Sequence, residues 1–196
     1  ELSIKNSITS NSASFSLPQE LFITAQLGDE QSLLHSDLIE EFRWQLSIMY
    51  PYLNWNDYVI RYFEDELPQT EMKNNAIVFA LNRKYIKILE DLCGKNNLKL
   101  RFIDHCHLAS NNILTMNQSS KTSDNLSLYI SRKLFSILIS AQGKPIYYED
   151  IPVANVNEIS GCVSEKLKVF NQKQLIFTEA FLFGDTTSGI IAKALT

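Results

Sequence analysis

The chain has 196 residues, 45% hydrophobic and 20% charged, with 18 basic against 22 acidic side chains and a formal net charge of -4. That length buries one good core or two small subdomains sharing an interface, and the acidic balance with scattered Lys and Arg argues against nucleic acid, which wants clustered cations. No apolar run approaches the roughly 18–20 residues that cross a bilayer and no signal peptide opens the chain, so membrane association has to come through a partner.

Residues 2–8 and 13–17 are short alternating runs among Ser and Asn and read as strands of a hairpin. After Pro18, residues 21–27 resume as a strand that stops at Gly28-Asp29. Ser36 and Asp37 offer an N-cap, and Leu38, Phe42, Leu46 and Met49 fall near helical spacing until Pro51. Residues 54–63 read as an aromatic-rich strand and 75–81 as a buried one; Asn82 then caps a helix to Cys93, with Gly94 in the C-terminal position. Residues 98–103 return as a strand and 107–114 as a short helix. Residues 116–125 are polar, without an apolar period, and read as a linker. The expected organisation is an N-terminal part over 1–115, a linker over 116–124 and a second part over 125–196.

In the second part, residues 126–130, 134–139 and 146–148 are three apolar runs joined by tight turns, the second turn carrying Gln142-Gly143. An amphipathic helix over 156–170, a short strand over 180–183 and a helix-like tail over 189–195 follow. Strand, strand, strand, helix, strand, helix is the order of the ribonuclease-H-like half found in actin, sugar kinases and bacterial relatives. In that fold the first hairpin turn holds phosphate with a D-x-G, the Asp assisting the metal and the Gly letting backbone amides approach the anion. Here the matching positions are Tyr129 and Ser131, followed by Arg132 and Lys133.

Further stretches resemble the type IV pilus assembly PilM family. Residues 37–52 (DLIEEFRWQLSIMYPY) are similar to a helix of that family ending near a Tyr/Pro pair, and Asn56-Asp57-Tyr58-Val59 to the strand it places next. Residues 76–92 (AIVFALNRKYIKILEDL) resemble its strand–helix unit, and 94–104 the passage leading into its second large subdomain. Residues 124–152 look like its phosphate-hairpin region, with Gly143 at the second turn; 183–189 (FGDTTSG) stand where the family carries a Gly-rich adenosine loop. The resemblance implies an actin-like α/β fold related to FtsA, with mixed sheets flanked by helices. It implies a protein on the cytoplasmic face of the inner membrane that grips the tail of an inner-membrane partner of the PilN kind, an arrangement shared by the GspL cytoplasmic part. An oligomer is compatible with it. The chain opens on Glu1 rather than Met and stops after a helix-like tail, which reads as truncation at both ends.

The departures from the family concern nucleotide chemistry. The first phosphate motif has no match, the second lacks its Asp and Gly, and the third keeps Gly184 and Gly189 but puts Asp185 where a second Gly belongs. The expectation is a pseudo-ATPase scaffold without cofactor. The alternative is a nucleotide-binding switch taking ATP and magnesium, its first phosphate motif missing from this chain. Trp44, Tyr52, Trp55, Tyr58 and Tyr62 belong to a dense aromatic group and are the candidate partner-binding residues, since aromatics give large rigid surfaces with a polar tip.

Other constellations have plainer readings. Asp104-His105-Cys106-His107 with Cys93 suggests a metal, but no fourth ligand pair has zinc spacing, and a strand-to-helix junction accounts for the polar groups. Ser120-Lys121-Thr122 lacks the glycines of a phosphate loop. Cys93 and Cys162 read as small core residues, and three sparse cysteines suit a reducing, cytoplasmic compartment. Glu64-Asp65-Glu66 reads as a solvated acidic loop.

Overall fold

The computed structural model describes residues 11–28, 34–64, 75–115, 124–131, 134–152, 156–172, 177 and 179–184. Nine strands and four helices are present among them: β1 (Ser12–Leu17), β2 (Phe22–Gly28), α1 (His35–Met49), β3 (Tyr58–Glu64), β4 (Asn75–Asn82), α2 (Arg83–Lys95), β5 (Lys99–His105), α3 (Cys106–Thr115), β6 (Asn125–Ile130), β7 (Leu134–Ala141), β8 (Lys144–Pro152), α4 (Val156–Gln172) and β9 (Glu179–Gly184). The expected strand over 2–8, the helix-like tail over 189–195 and linker residues 116–123 lie outside the described residues.

Three sheets form. β1 and β5 pair in parallel, so residues 13–17 find a distant partner across the intervening unit. β2, β4 and β3 form an antiparallel sheet with β4 in the centre, and β8-β7-β6-β9 a mixed one in which β9 runs parallel to β6. Three antiparallel strands, a helix and a parallel fourth strand are the order expected for the second part.

Period-two alternation decides what each strand faces. On β4, Ala76, Val78 and Ala80 meet Leu38, Phe42 and Leu46 of α1, three positions spaced four apart on one helix face. Ile77 and Phe79 point the other way and join Leu108, Leu138 and Tyr148, so β4 touches both parts of the chain. On β6 and β7, Leu126, Leu128, Ile130, Phe135, Ile137 and Ile139 face α4, which contributes Ile159, Val163 and Phe170.

Several boundaries differ from expectation for local reasons. A 3-10 turn at Gln19–Leu21 delays β2, and another at Trp55–Asp57, closed by the Asn54 side chain accepting from Asn56 N, delays β3. α1 is preceded by Leu34, not capped by Ser36 or Asp37; the Ser36 hydroxyl donates to Asp37 instead. Gly94 sits inside the last turn of α2, and the left-handed position falls to Asn97 (φ 54°). Leu98 N bonds to Cys93 O and Asn97 N to Gly94 O, the paired bonds of a Schellman stop, for which Asn is the usual substitute for Gly. Asn125, the first residue of the expected second part, is also the first residue of β6. At Gln142-Gly143 both residues have positive φ (51° and 81°), the signature of the type I′ hairpin that matches strand twist.

Phe42 has no exposed surface and sits at the centre of the α1 face. Phe42→Ala should cost about 3–5 kcal/mol, read as a fall in the urea midpoint with an unchanged slope.

Candidate functional site

Four strand ends meet at one place. Gln19 and Glu20 follow β1, Cys106 follows β5, Ser131 follows β6, and Gly184 closes β9 beside Ile130. Crevices at the carboxyl ends of strands are where α/β folds hold ligands. In this chain the place is filled by its own side chains. The Ser131 hydroxyl donates to the Glu20 carboxylate and accepts from Leu134 N at 3.2 Å, while Ser131 N bonds Leu134 O at 2.9 Å. The amides flanking the hairpin turn are thus spent inside the turn, and a carboxylate stands at its mouth where an anion would meet repulsion. Cys106 and Tyr129 are hydrogen-bonded to each other: burial pushes the Cys106 thiol up, and burial, then Cys106 and Glu20, push the Tyr129 phenol up to about 12. Both are therefore neutral at pH 7, and a buried, protonated thiol is a poor nucleophile.

Behind this crevice lies a buried polar face. The residues of β6 and β7 that point away from α4 include Asn125, Ser127, Ser136 and Ser140, all without exposed surface. α3 and the turn after β1 cover them. His107 Nδ1 lies 2.6 Å from Ser136 Oγ and Nε2 lies 2.9 Å from Ser127 Oγ. Since Ser136 donates to Gln19 Oε1 at 2.8 Å, it accepts from His107 Nδ1–H, which leaves Nε2 to accept from Ser127. Gln19 Nε2 donates to Leu134 O at 3.1 Å, and Asn111 Nδ2 to Ser140 Oγ at 3.1 Å. A second chain runs from His105 Nε2 to the Tyr148 hydroxyl (3.2 Å), on to Asp150 Oδ1 (2.7 Å), with Thr24 donating to Asp150 Oδ2 (2.6 Å). Burial lowers both histidines to about 3, and His105 adds to the effect on His107. Burial raises Asp150, opposed by the Thr24 and Tyr148 hydrogen bonds.

The candidate residues named from the sequence scatter. Tyr129 packs its ring near His107 and Ser131 caps the hairpin turn; Gly184 lies across from Ile130. Arg132, Lys133, Asp185 and Gly189 lie outside the described residues, as do Ser120-Lys121-Thr122 and Asp65-Glu66. Of the aromatic group, Trp55 is core at 5% exposure, Tyr58 and Tyr62 pack half-buried around the α1 core, and Trp44 (59%) and Tyr52 (78%) stand in solvent. Trp44 and Trp55 share one shallow groove with Arg43, and Tyr52 lines a different cleft. Both ring nitrogens of His107 are taken by serines, and among the described residues no group of three His, Cys, Asp or Glu is placed to hold a metal. No described helix is long and apolar enough to cross a membrane.

Sequence reasoning passed over Gln19, Glu20, Asn111 and the interior serines. Serines alternating with apolar residues over 126–140 carried the available signal, since a two-faced strand whose second face is small and polar calls for a polar cover.

No family model matches the sequence, and no curated protein matches it. Solved structures do match. A chain of the PilM-PilN type IV pilus biogenesis complex is 12% identical, with 96% of this chain and 68% of that chain covered at a TM-score of 0.68. The cytoplasmic domain of EpsL, an inner membrane component of the type II secretion system of Vibrio cholerae, is 10% identical over 88% of this chain and 61% of its own, at 0.51. A Bacteroides thetaiotaomicron protein with an actin-like ATPase fold and unknown function is 12% identical over 94% and 72%, at 0.46. The class is therefore an actin-like α/β fold. Within that class, the fold is the one seen in the pilus biogenesis complex.

Two outcomes follow from the site. A Cβ on Gly184, which has φ +91°, would lie 2.0 Å from Ile130 O, so Gly184→Ala should destabilise by well over about 1 kcal/mol in a chemical denaturation series. The histidines take up protons near 6.5 when unfolded but only near 3 when folded, so the unfolded chain binds more protons between those values and stability falls as pH drops. Below about pH 6.5 the loss should reach up to about 1.4 kcal/mol per histidine per pH unit, measured by urea unfolding at stepped pH. Asp104 and Asp150, raised by burial above 3.8, act in the opposite sense between that value and their own raised ones.

Proposed function

We propose that this chain is a non-catalytic, actin-like scaffold of a bacterial membrane-assembly machine, of the type IV pilus or type II secretion kind. It docks the cytoplasmic tail of an inner-membrane partner and holds no nucleotide. The observation that carries the second half is the Glu20 carboxylate bound to the Ser131 hydroxyl. In the family resemblance Ser131 stands at the turn that would cradle phosphate; here that turn closes on itself and meets a negative charge. The fold shared with a chain of the PilM-PilN complex, and with the cytoplasmic domain of EpsL, supports the first half. A scaffold needs the rigid body that the actin-like fold supplies and can dispense with the cleft's chemistry.

The test is a thermal-shift titration with Mg-ATP. A ligand at 100 times its Kd stabilises the native state by about 2.7 kcal/mol, enough to move the midpoint by several degrees. The expected result is an unmoved midpoint in protein with a cooperative unfolding transition. A saturable rise would overturn the scaffold reading in favour of a nucleotide-dependent switch.

A further inference from the structure

The buried polar face between α3 and the four-stranded sheet stops short at one end. Among the described residues, Asn125 is the buried side chain whose polar atoms make no hydrogen bond, and this holds for its amide nitrogen and its amide oxygen alike. The residue has no exposed surface. A buried amide with neither end answered is strongly unfavourable, and folded proteins meet such groups either with the chain or with an internal water.

The surroundings define what can answer it. Leu126 and Ile139 face α4, so Asn125 and Ser140, directly opposite each other on β6 and β7, point together towards α3. Side chains in that relation start about 5 Å apart at Cβ. Ser140 Oγ accepts from Asn111 Nδ2 at 3.1 Å, and no acceptor for its own proton stands among the described residues. Asn125 Oδ1 is an unused acceptor beside it, yet the two side chains form no direct bond. Glu179, the neighbour of Asn125 on β9, is exposed. On the other side of Ser140 the ladder to β8 shifts register between Ile139 and Ser140, and the residue opposite is Pro145, which has no N–H to give. Two polar side chains with unused capacity, adjacent but not bonded, beside an irregular stretch of strand, fit a bridging water.

We infer that one internal water is bound between Asn125 and Ser140. It accepts from the Ser140 hydroxyl and from Asn125 Nδ2–H and donates to Asn125 Oδ1, and three bonds are the usual number for a buried water. Ser127 and Ser140 are already joined through Asn111, so the water carries that line of polar contacts on to the first residue of β6. With α3 lying over the site, the water exchanges with solvent only when the seam between α3 and the sheet opens.

The experiment uses the full isotope-labelled chain and reads magnetisation transfer between water and the Asn125 side-chain amide. The expected signal has the sign of a water held for longer than the protein takes to tumble. It should persist in Ser140→Ala, which removes any relay through the hydroxyl proton. Asn125→Leu, similar in volume and without a polar atom, should lower the folding equilibrium constant at least about fivefold, and adding Ser140→Ala should recover part of that loss. An Asn125 amide without contact to long-lived water, or a signal that vanishes in Ser140→Ala, would overturn the inference. So would a raised urea midpoint in Asn125→Leu, the result expected if an apolar side chain simply relieves an unanswered amide. If Asn125→Leu does not fold, the transfer measured in the natural chain and in Ser140→Ala decides.

Discussion

A neutral imidazole held between two serine hydroxyls ties the two parts of this molecule together. His107 lies in the first turn of α3, two residues after β5 ends, and its ring reaches Ser127 on β6 and Ser136 on β7, strands of the four-stranded sheet. A charged ring could not sit there, since burying an unpaired cation costs several kcal/mol. An apolar ring would take one hydrogen-bond partner from each of the two buried serines. The geometry therefore fixes the tautomer, the protonation state and the approach of α3 to the sheet. Everything nearby answers to that approach: Leu108 packs on Leu138 and Tyr148, Asn111 bonds Ser140, and Gln19 closes over Ser136.

The same contacts explain why the crevice is self-filled. Gln19 is drawn in by its need to satisfy Ser136 and Leu134, and the 3-10 turn it begins carries Glu20 up to Ser131. Gln19 is fastened there by three polar partners, Ser131, Leu134 O and Ser136. The residues that would have to move to admit a ligand are the ones whose hydrogen bonds hold the parts together, so opening the crevice and loosening the molecule are one event.

Much of the fold was legible because it rests on period. The apolar residues of α1 at 38, 42 and 46, the buried run of β4, the Gln142-Gly143 turn and the order of the second part all declare themselves locally. The helix ends did not: Asn97 took the left-handed position expected of Gly94 because the last turn ran on past it, and Ser36 bonded Asp37 rather than the backbone. The polar core was hidden for a different reason. Its members come from three separated stretches, around residues 19, 107 and 127–140, and nothing local says that Gln19 answers to Ser136. The aromatic group shows the limit of composition as a guide, since Trp55 and Tyr52 lie three residues apart and one is core while the other is in water.

The parallel pairing of β1 with β5 sets a timetable for folding. Between them lie α1, α2 and the antiparallel sheet, whose contacts are mostly closer in sequence and can form as soon as that stretch has been synthesised. β1 cannot pair with β5 until the whole intervening unit has emerged, and closing so long a loop is entropically cheaper once the loop has already collapsed into a compact body. β1, made before that unit, thus has to wait for β5, made after it. The unit between the two strands carries its own core around Phe42, and only its Phe22–Ile77–Phe79 face is committed to the rest of the molecule.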